Sequence, residues 1–349
     1  MQKSDRKSEH IEICLEKPVD FSRQKGAGFT TNGLEKVVFE YDALPEISLD
    51  EIDLSTTLLG KRLRLPLVIG AMTGGNKEAK LINERLAKAA QECGVGFALG
   101  SQRRLIENKD EDVVSSFLVR KLVSDIPLLI GNIGAVSLNY GVGLEKIKEI
   151  ISLSEVDAFC FHLNPLQECV QPEGQTNFSG LYSKLHEVSS QLKCPVVVKE
   201  VGSGISSKTA RKLSTLPIAA VEVAGVGGTS WPKVESFRTN DMARKSIGDL
   251  FGQWGVNTAQ GIENCRKELP EKMQIVGSGG IRTGLDIAKA LILGADACAI
   301  ASPFLRAAVT SEGAVIEEVK RLELELKSSL FSAGARNISE FRKVNYVIR

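Results

Sequence analysis

The sequence has no cysteine pair in CxxC spacing, no apolar run long enough to span a membrane, no low-complexity segment and no excess of either charge. Each absence removes a class of function. The seven cysteines, Cys14, Cys93, Cys160, Cys169, Cys194, Cys265 and Cys298, are odd in number and scattered. That pattern argues against a disulfide framework or a zinc ribbon and for a reduced, cytoplasmic protein. Cys160 and Cys298 fall in apolar runs, where cysteine behaves as a small hydrophobe. Lys and Arg number 44 against 43 Asp and Glu, a formal charge of +1. This balance speaks against general nucleic-acid binding and leaves room for a local anion site. The opening stretch MQKSDRKSEHIEICLEK is polar and lacks the apolar core of a secretory signal, so neither a leader nor a membrane anchor is expected.

What is present is an ordinary globular composition, 349 residues with 43% apolar and 25% charged, large enough to build a core without metal or disulfide staples. Eight short apolar runs recur: LPLVIGAM (65–72), VGFALG (95–100), PLLIGNIG (127–134), AFCFHLN (158–164), PVVVKEVG (195–202), AAVEVAG (219–225), QIVGSGG (274–280) and ACAIAS (297–302). They are near-continuously apolar, as strands of a parallel sheet covered on both faces are. Amphipathic stretches such as KEAKLINERLAKAAQECG and GLDIAKALILGA separate them and end near glycine, a helix stop signal. Eight strand–helix repeats predict a (β/α)8 TIM barrel; a doubly wound sheet is the alternative, and the count of eight favours the barrel. The chain reads as a single domain, 1–349, with the barrel core over about 65–310. Residues 1–60 form an N-terminal extension covering the barrel bottom or one side, and 311–349 a long charged helix with a short tail. Residues 226–257 lack clear periodicity and read as a lid loop carrying Trp231 and Trp254, the only tryptophans.

The fourth run ends in His162, Asn164, Gln167 and Glu168 and passes into a stretch with almost no apolar content. In a TIM barrel the active site lies at the C-terminal strand ends, so these groups are delivered to one rim. The other strand ends contribute Met72-Thr73-Gly74-Gly75, Ser101-Gln102-Arg103, Asn132, Lys199, Gly225-Val226-Gly227-Gly228-Thr229, Gly279-Gly280 and Ala301-Ser302. Any one of these is readily a solvated loop residue; their gathering on successive strands marks a site. The double glycine after the seventh run and the small pair after the eighth suit a phosphate of a nucleotide or sugar, with tight βα turns as the plain alternative. Lys199, inside an apolar strand, is either a Schiff-base nucleophile or a fixed positive charge beside a flavin. Glu200, on the opposite face, is expected in a helix-side ion pair.

Taken together, RKSEHIEI (6–13), GAMTGG (70–75), GSQR (100–103), HLNPLQE (162–168), VVKEVGSGIS (197–206) and GVGGTSW (225–231) resemble the type 2 isopentenyl-diphosphate isomerases. These are flavin-dependent enzymes that interconvert isopentenyl and dimethylallyl diphosphate. GSGGIRTGLDIAKAL (277–291) resembles FMN barrels in general. The resemblance covers nearly the whole chain. It implies FMN ring contacts from Ala71, Met72, Thr73, Ser101, Asn132, Lys199 and Thr229, with the FMN phosphate on Gly279, Gly280, Ile281, Ala301 and Ser302. It implies substrate diphosphate on Arg6, Lys7, Ser101, Gln102 and Arg103, magnesium on Glu168, and Gln167, His162 and Asn164 as the catalytic group, Gln167 also touching substrate. NADPH or NADH as reductant and a homo-oligomer follow from the same resemblance, with no nucleic-acid or membrane partner.

The chemistry agrees. Arg6, Lys7 and Arg103 offer charge-assisted donors to a diphosphate, and magnesium can bridge its oxygens to Glu168. Moving a double bond needs one proton added and another removed, with no net redox change. No Asp/His pair in the sequence obviously serves both transfers, so reduced FMN near N5 and C4a is expected to take part, with Gln167 assisting and Lys199 keeping the flavin anionic. Two competing functions stand beside this: an FMN-dependent oxidoreductase of the 2-hydroxy-acid oxidase or glutamate-synthase type, which needs a base and a carboxylate-binding arginine, and a non-catalytic flavin or phosphate sensor.

Overall fold

A computed structural model describes residues 6–23, 30–107 and 110–349. Each of the eight apolar runs supplies one strand: β1 Leu67–Ile69, β2 Gly96–Ala98, β3 Leu128–Gly134, β4 Ala158–His162, β5 Val196–Lys199, β6 Ala220–Glu222, β7 Gln274–Ser278 and β8 Ala297–Ile300. They pair in parallel, each with its sequence neighbours, and β8 closes on β1. The expected TIM barrel is therefore the fold, and the doubly wound alternative falls.

The two faces of each strand explain why the runs look continuous. Val68, Ala98, Leu128, Ile130, Ala158, Cys160, Val197, Ala220, Val276, Ala297 and Ala299 form one apolar cluster inside the barrel. Their neighbours, among them Ile69, Phe97, Leu129, Phe159, Phe161, Val198, Val221, Ile275 and Ile300, join the larger cluster under the helices. Alternation along a strand is real but hidden, because both faces are apolar. Two residues beyond the last apolar inward position the interior turns polar, at Asn132, His162, Lys199, Glu222 and Ser278. Register sets these side by side, with His162 opposite Lys199 and Lys199 opposite Glu222. The four polar groups that end the fourth run thus begin where the barrel interior opens into its mouth.

The N-terminal extension covers both ends rather than one. A hairpin of Thr56–Leu58 and Lys61–Leu63 pushes Leu58, Leu59 and Leu63 into the inner cluster and closes the bottom. Its two turn residues, Leu59 and Gly60, both sit at positive φ (50° and 78°), as a two-residue hairpin turn of this hand requires. Helix α1, Arg6–Glu16, lies instead at the opposite mouth, where Arg6, Lys7 and His10 face the cavity. The C-terminal segment holds the expected long helix, Glu312–Phe331, but its tail is not loose: Tyr346–Ile348 pairs antiparallel with Val37–Phe39.

The segment 226–257 corrects the lid-loop reading, since it holds two helices. α2, Trp231–Arg238, is capped by Ser230, and α3, Met242–Leu250, by Asp241. Periodicity failed there because α2 spans only two turns and Met242 and Leu250 of α3 point to solvent. Trp231 lines the cavity, whereas Trp254 is mostly exposed and packs edge-on against Phe251. No helix among the described residues is long and apolar enough to cross a membrane.

Candidate active site

A cavity of about 210 Å³ opens at the C-terminal mouth of the barrel. It is lined by every residue to which the resemblance gives a role except Gln102. Gln102 is fully buried beside β3: its Oε1 accepts the Asn132 N–H at 3.0 Å and its own N–H reaches the Asn132 carbonyl at 2.8 Å. It steadies Asn132 and is not part of the cavity lining.

The polar floor is an ordered network. Lys199 Nζ lies 3.4 Å from Glu222 Oε1 and donates to the Glu200 carbonyl at 2.5 Å. Glu222 in turn accepts from Ser278 Oγ at 3.0 Å. Glu222 was not singled out in the sequence, although one glutamate in AAVEVAG is as anomalous as one lysine in VVVKEVG. The ion pair expected for Glu200 is not what the structure has. Its carboxylate accepts the backbone N–H groups of Val201, Gly202 and Ser203 at 2.5–2.6 Å, closing a loop. Burial pushes the Glu200 carboxyl upward, and those three bonds only partly offset it.

His162 Nδ1 sits 2.9 Å from Asn132 Oδ1, while Asn132 Nδ2 donates to the Leu99 carbonyl at 3.3 Å. The amide orientation therefore makes Oδ1 the acceptor, so Nδ1 carries the proton and Nε2 is an acceptor. Burial, then the charges of Lys199 and Lys7, push the imidazole down to about 3, so it is neutral at physiological pH. The sign of the stability effect follows. The unfolded chain takes up a proton near the ordinary 6.5 that the folded chain refuses down to about 3, so stability present above pH 6.5 is lost as pH falls through that window. Acid unfolding followed by circular dichroism should show a loss of a few kcal/mol between pH 6.5 and 3. His162→Asn should flatten it; an equally steep profile in the variant would refute the assignment.

Above the floor, the short helix Pro165–Val170 presents Gln167 and Glu168. Asn164 Nδ2 donates to Gln167 Oε1 (3.1 Å) and Glu168 Oε1 (2.8 Å), and the Gln175 N–H reaches Glu168 Oε2 at 2.5 Å. Gln167 Nε2 donates to Glu235 Oε1 at 2.9 Å, His10 Nε2 lies 3.0 Å from the same oxygen, and Arg238 holds Oε2 at 2.6 Å. Burial would raise the fully buried Glu235 carboxyl, but His10, Arg238 and Gln167 outweigh it and hold it down at about 2. Glu235 is the site residue that sequence reading missed most completely; it lies in the segment read as a loop.

Two acceptors in this corner, Asn164 Oδ1 and Gln175 Oε1, are buried with no partner, a condition that native interiors seldom tolerate. With the Glu168 carboxylate they offer oxygen ligands of the hard type that magnesium takes. Among the described residues no group of three or more His, Cys, Asp or Glu is placed to hold a metal ion. The basic rim comprises Lys7, buried in α1, Arg6, 3.5 Å from Glu173, and Arg103, 2.5 Å from Glu107.

The far end is the glycine cradle. Gly279 and Gly280 take φ of 106° and 71°, which favours glycine. A Cβ on Gly280 would stand 2.2 Å from the Gly227 carbonyl oxygen, so the two turns pack backbone on backbone. Ala301 and the N-terminus of helix Ser302–Thr310 complete it. Between cradle and floor, Thr73 Oγ1 is buried without a partner. An elongated ligand with an anionic end and a ring rich in hydrogen-bonding groups fits this lining, as FMN does.

Residues 165–347 match the model of the FMN-dependent dehydrogenase family, just over half of the chain. An isopentenyl-diphosphate delta-isomerase of Nostoc sp. is 45% identical over 341 residues, covering 98% of this chain and 95% of its own. One from Oceanobacillus iheyensis is 42% identical, covering 99% and 96%. The chain belongs to the isopentenyl-diphosphate delta-isomerase family. Its fold is also that of a mandelate oxidase solved with an FMN adduct (TM-score 0.63, 16% identity, 91% and 90% coverage) and of an (S)-mandelate dehydrogenase (0.65, 15%, 90% and 89%). Those likenesses concern architecture alone; it is isomerase-family members that share the sequence from end to end.

Proposed function

We propose that the protein is an FMN-dependent isomerase that interconverts isopentenyl and dimethylallyl diphosphate, using magnesium and a nicotinamide nucleotide as reductant. The observation that carries this reading is the meeting, in one cavity, of a basic rim, the Glu168 carboxylate beside two unpartnered amide oxygens, and a glycine cradle. Arg6, Lys7 and Arg103 bind the diphosphate by charge-assisted bonds, with Ser101 at the same rim. Glu168, with the Asn164 and Gln175 oxygens, would hold magnesium, which would supply positive charge to a bound diphosphate. Ala71, Met72, Thr73, Asn132 and Thr229 flank the flavin ring, and Gly279, Gly280, Ile281 and Ala301 line its phosphate end. Bound FMN in its reduced form supplies proton exchange over the apolar end of the substrate.

The chain's own residues orient that exchange. Gln167 is fixed through both atoms of its amide, by Asn164 and by the ionised Glu235, so it meets the isoprenoid in one orientation. His162, neutral and with Nε2 as acceptor, receives hydrogen bonds and releases no proton near pH 7. Lys199 faces the flavin as a cation partly balanced by Glu222. Trp231 and α1 cover the mouth and exclude water. A cytoplasmic homo-oligomer is the setting we propose for it.

The test is anaerobic incubation with reduced FMN, magnesium and isopentenyl diphosphate in deuterated water, read by NMR. Dimethylallyl diphosphate with deuterium incorporated is expected. Net substrate oxidation under air would favour an oxidoreductase, and flavin binding without turnover a sensor.

A further inference from the structure

Asp20 is a buried carboxylate, 4% exposed, that the isomerase reading leaves without a role. It lies on the strap that follows α1, which is tied to the loop after β6: Asp20 bridges Thr229, Phe21 N–H reaches the Gly228 carbonyl at 3.0 Å, and Ser230 N–H reaches the Val19 carbonyl at 2.9 Å. One carboxylate oxygen accepts from the Ser22 backbone (3.2 Å) and hydroxyl (2.6 Å). The other accepts from Arg282 Nη2 at 2.7 Å and Ser302 Oγ at 2.9 Å. Arg282 and Ser302 both line the cavity at the glycine cradle.

Donor counting gives this arrangement a consequence. A serine hydroxyl has one proton, and Ser302 directs it to Asp20, leaving only lone pairs for the cavity. Arg282 has one N–H on Asp20 and another on the Ile281 carbonyl at 2.7 Å. A phosphate offers acceptors, so it competes with Asp20 for the one Ser302 proton. Arg282 keeps three further N–H, but its charge is already shared with Asp20, and the carboxylate's own charge repels the anion. Burial would raise the Asp20 carboxyl, but the Arg282 charge and the bonds from Ser22, Arg282 and Ser302 hold it below the usual range, so it is ionised when the phosphate arrives.

We propose that Asp20 is the resident counterion of the cofactor-phosphate turn and sets FMN affinity below what the glycine cradle, Arg282 and Ser302 would otherwise give. The inference rests on the FMN reading above. Because Asp20 belongs to the strap that continues α1, the same contact joins the phosphate turn to the helix carrying Arg6 and Lys7.

The experiment compares FMN with riboflavin, which has the same ring and no phosphate, by titrating the flavin-free full-length protein. Asp20→Asn should tighten FMN about ten-fold, the size of one charge-assisted hydrogen bond, and leave riboflavin within about two-fold. Asp20→Glu, which keeps the charge, should bind FMN as the parent does. Unchanged or weaker FMN binding in folded Asp20→Asn, or an equal shift for both flavins, overturns the proposal. Ser302→Ala tests it without touching Asp20. With the hydroxyl proton engaged by Asp20, FMN affinity should stay within about two-fold; an FMN-specific loss of about ten-fold would show that Ser302 serves the phosphate directly. If neither flavin binds the parent protein, it is the FMN reading that fails.

Discussion

Glu168→Gln is expected to lower kcat/KM by on the order of 10²–10³-fold, with FMN content unchanged, because the variant removes the one carboxylate in the proposed magnesium corner. The amide keeps the shape of the side chain but turns an NH2 toward either Asn164 Nδ2 or the Gln175 N–H, both of which now donate to carboxylate oxygens. Asn164 also fixes Gln167, so a part of the loss comes from a loosened Gln167. Magnesium titration separates the two causes. A lost ligand raises the magnesium concentration needed for half-maximal rate, and saturating magnesium restores part of the activity; a loosened Gln167 changes kcat alone. An unchanged magnesium requirement at near-parental activity would remove Glu168 from the metal site.

Lys199→Met is expected to lower the reduction potential of bound flavin by about 30–60 mV, or ~1.4–2.8 kcal/mol for a two-electron couple, and to raise the pKa of reduced flavin N1. The direction follows from removing a positive charge that favours the anionic reduced ring. The structure adds a second expectation. Glu222, 3.4 Å from Lys199 Nζ and nearly buried, partly cancels the lysine's field, so Glu222→Gln should shift the potential the opposite way. Lys199→Met also strands the Glu222 carboxylate, and breaking a buried pair on one side typically costs about 3–5 kcal/mol. The double variant Lys199→Met/Glu222→Gln should recover most of that stability while leaving the potential between the two single variants. Isopentenyl diphosphate has no carbonyl, so borohydride should trap no adduct at Lys199. An unaltered potential and N1 pKa in a variant that still binds FMN would place Lys199 outside the flavin site.

The position of each strand was written in the chain, because a parallel barrel buries both faces of its strands and leaves eight apolar runs of strand length. The polar groups at their ends were legible for the same reason: Lys199 and His162 are conspicuous inside otherwise apolar runs. The two helices of 226–257 were not legible by period. Their caps, Ser230 and Asp241, were there to be read, but α2 is too short to repeat its apolar spacing and α3 exposes its large side chains. Glu235 was lost with them. On sequence alone it is one more charge in a polar stretch, and only packing against α1 and Pro165–Val170 makes it a fully buried acceptor.

By itself, then, the sequence determined the barrel, the rim on which chemistry gathers, and through its motifs the residues that meet there, because apolar runs of strand length and the polarity at their ends are local properties. Only the tertiary structure decided partnership. Which carboxylate answers Lys199 depends on β5–β6 register, which separates Glu222 from Glu200 by one face of the sheet. Gln102 turns into the wall while its neighbours Ser101 and Arg103 line the cavity. Asp20, more than two hundred and fifty residues from Arg282 and Ser302, meets the glycine cradle only because the strap after α1 is held against the loop following β6. Such pairings join groups distant in the chain, and their energies arise from burial and geometry that no local pattern encodes.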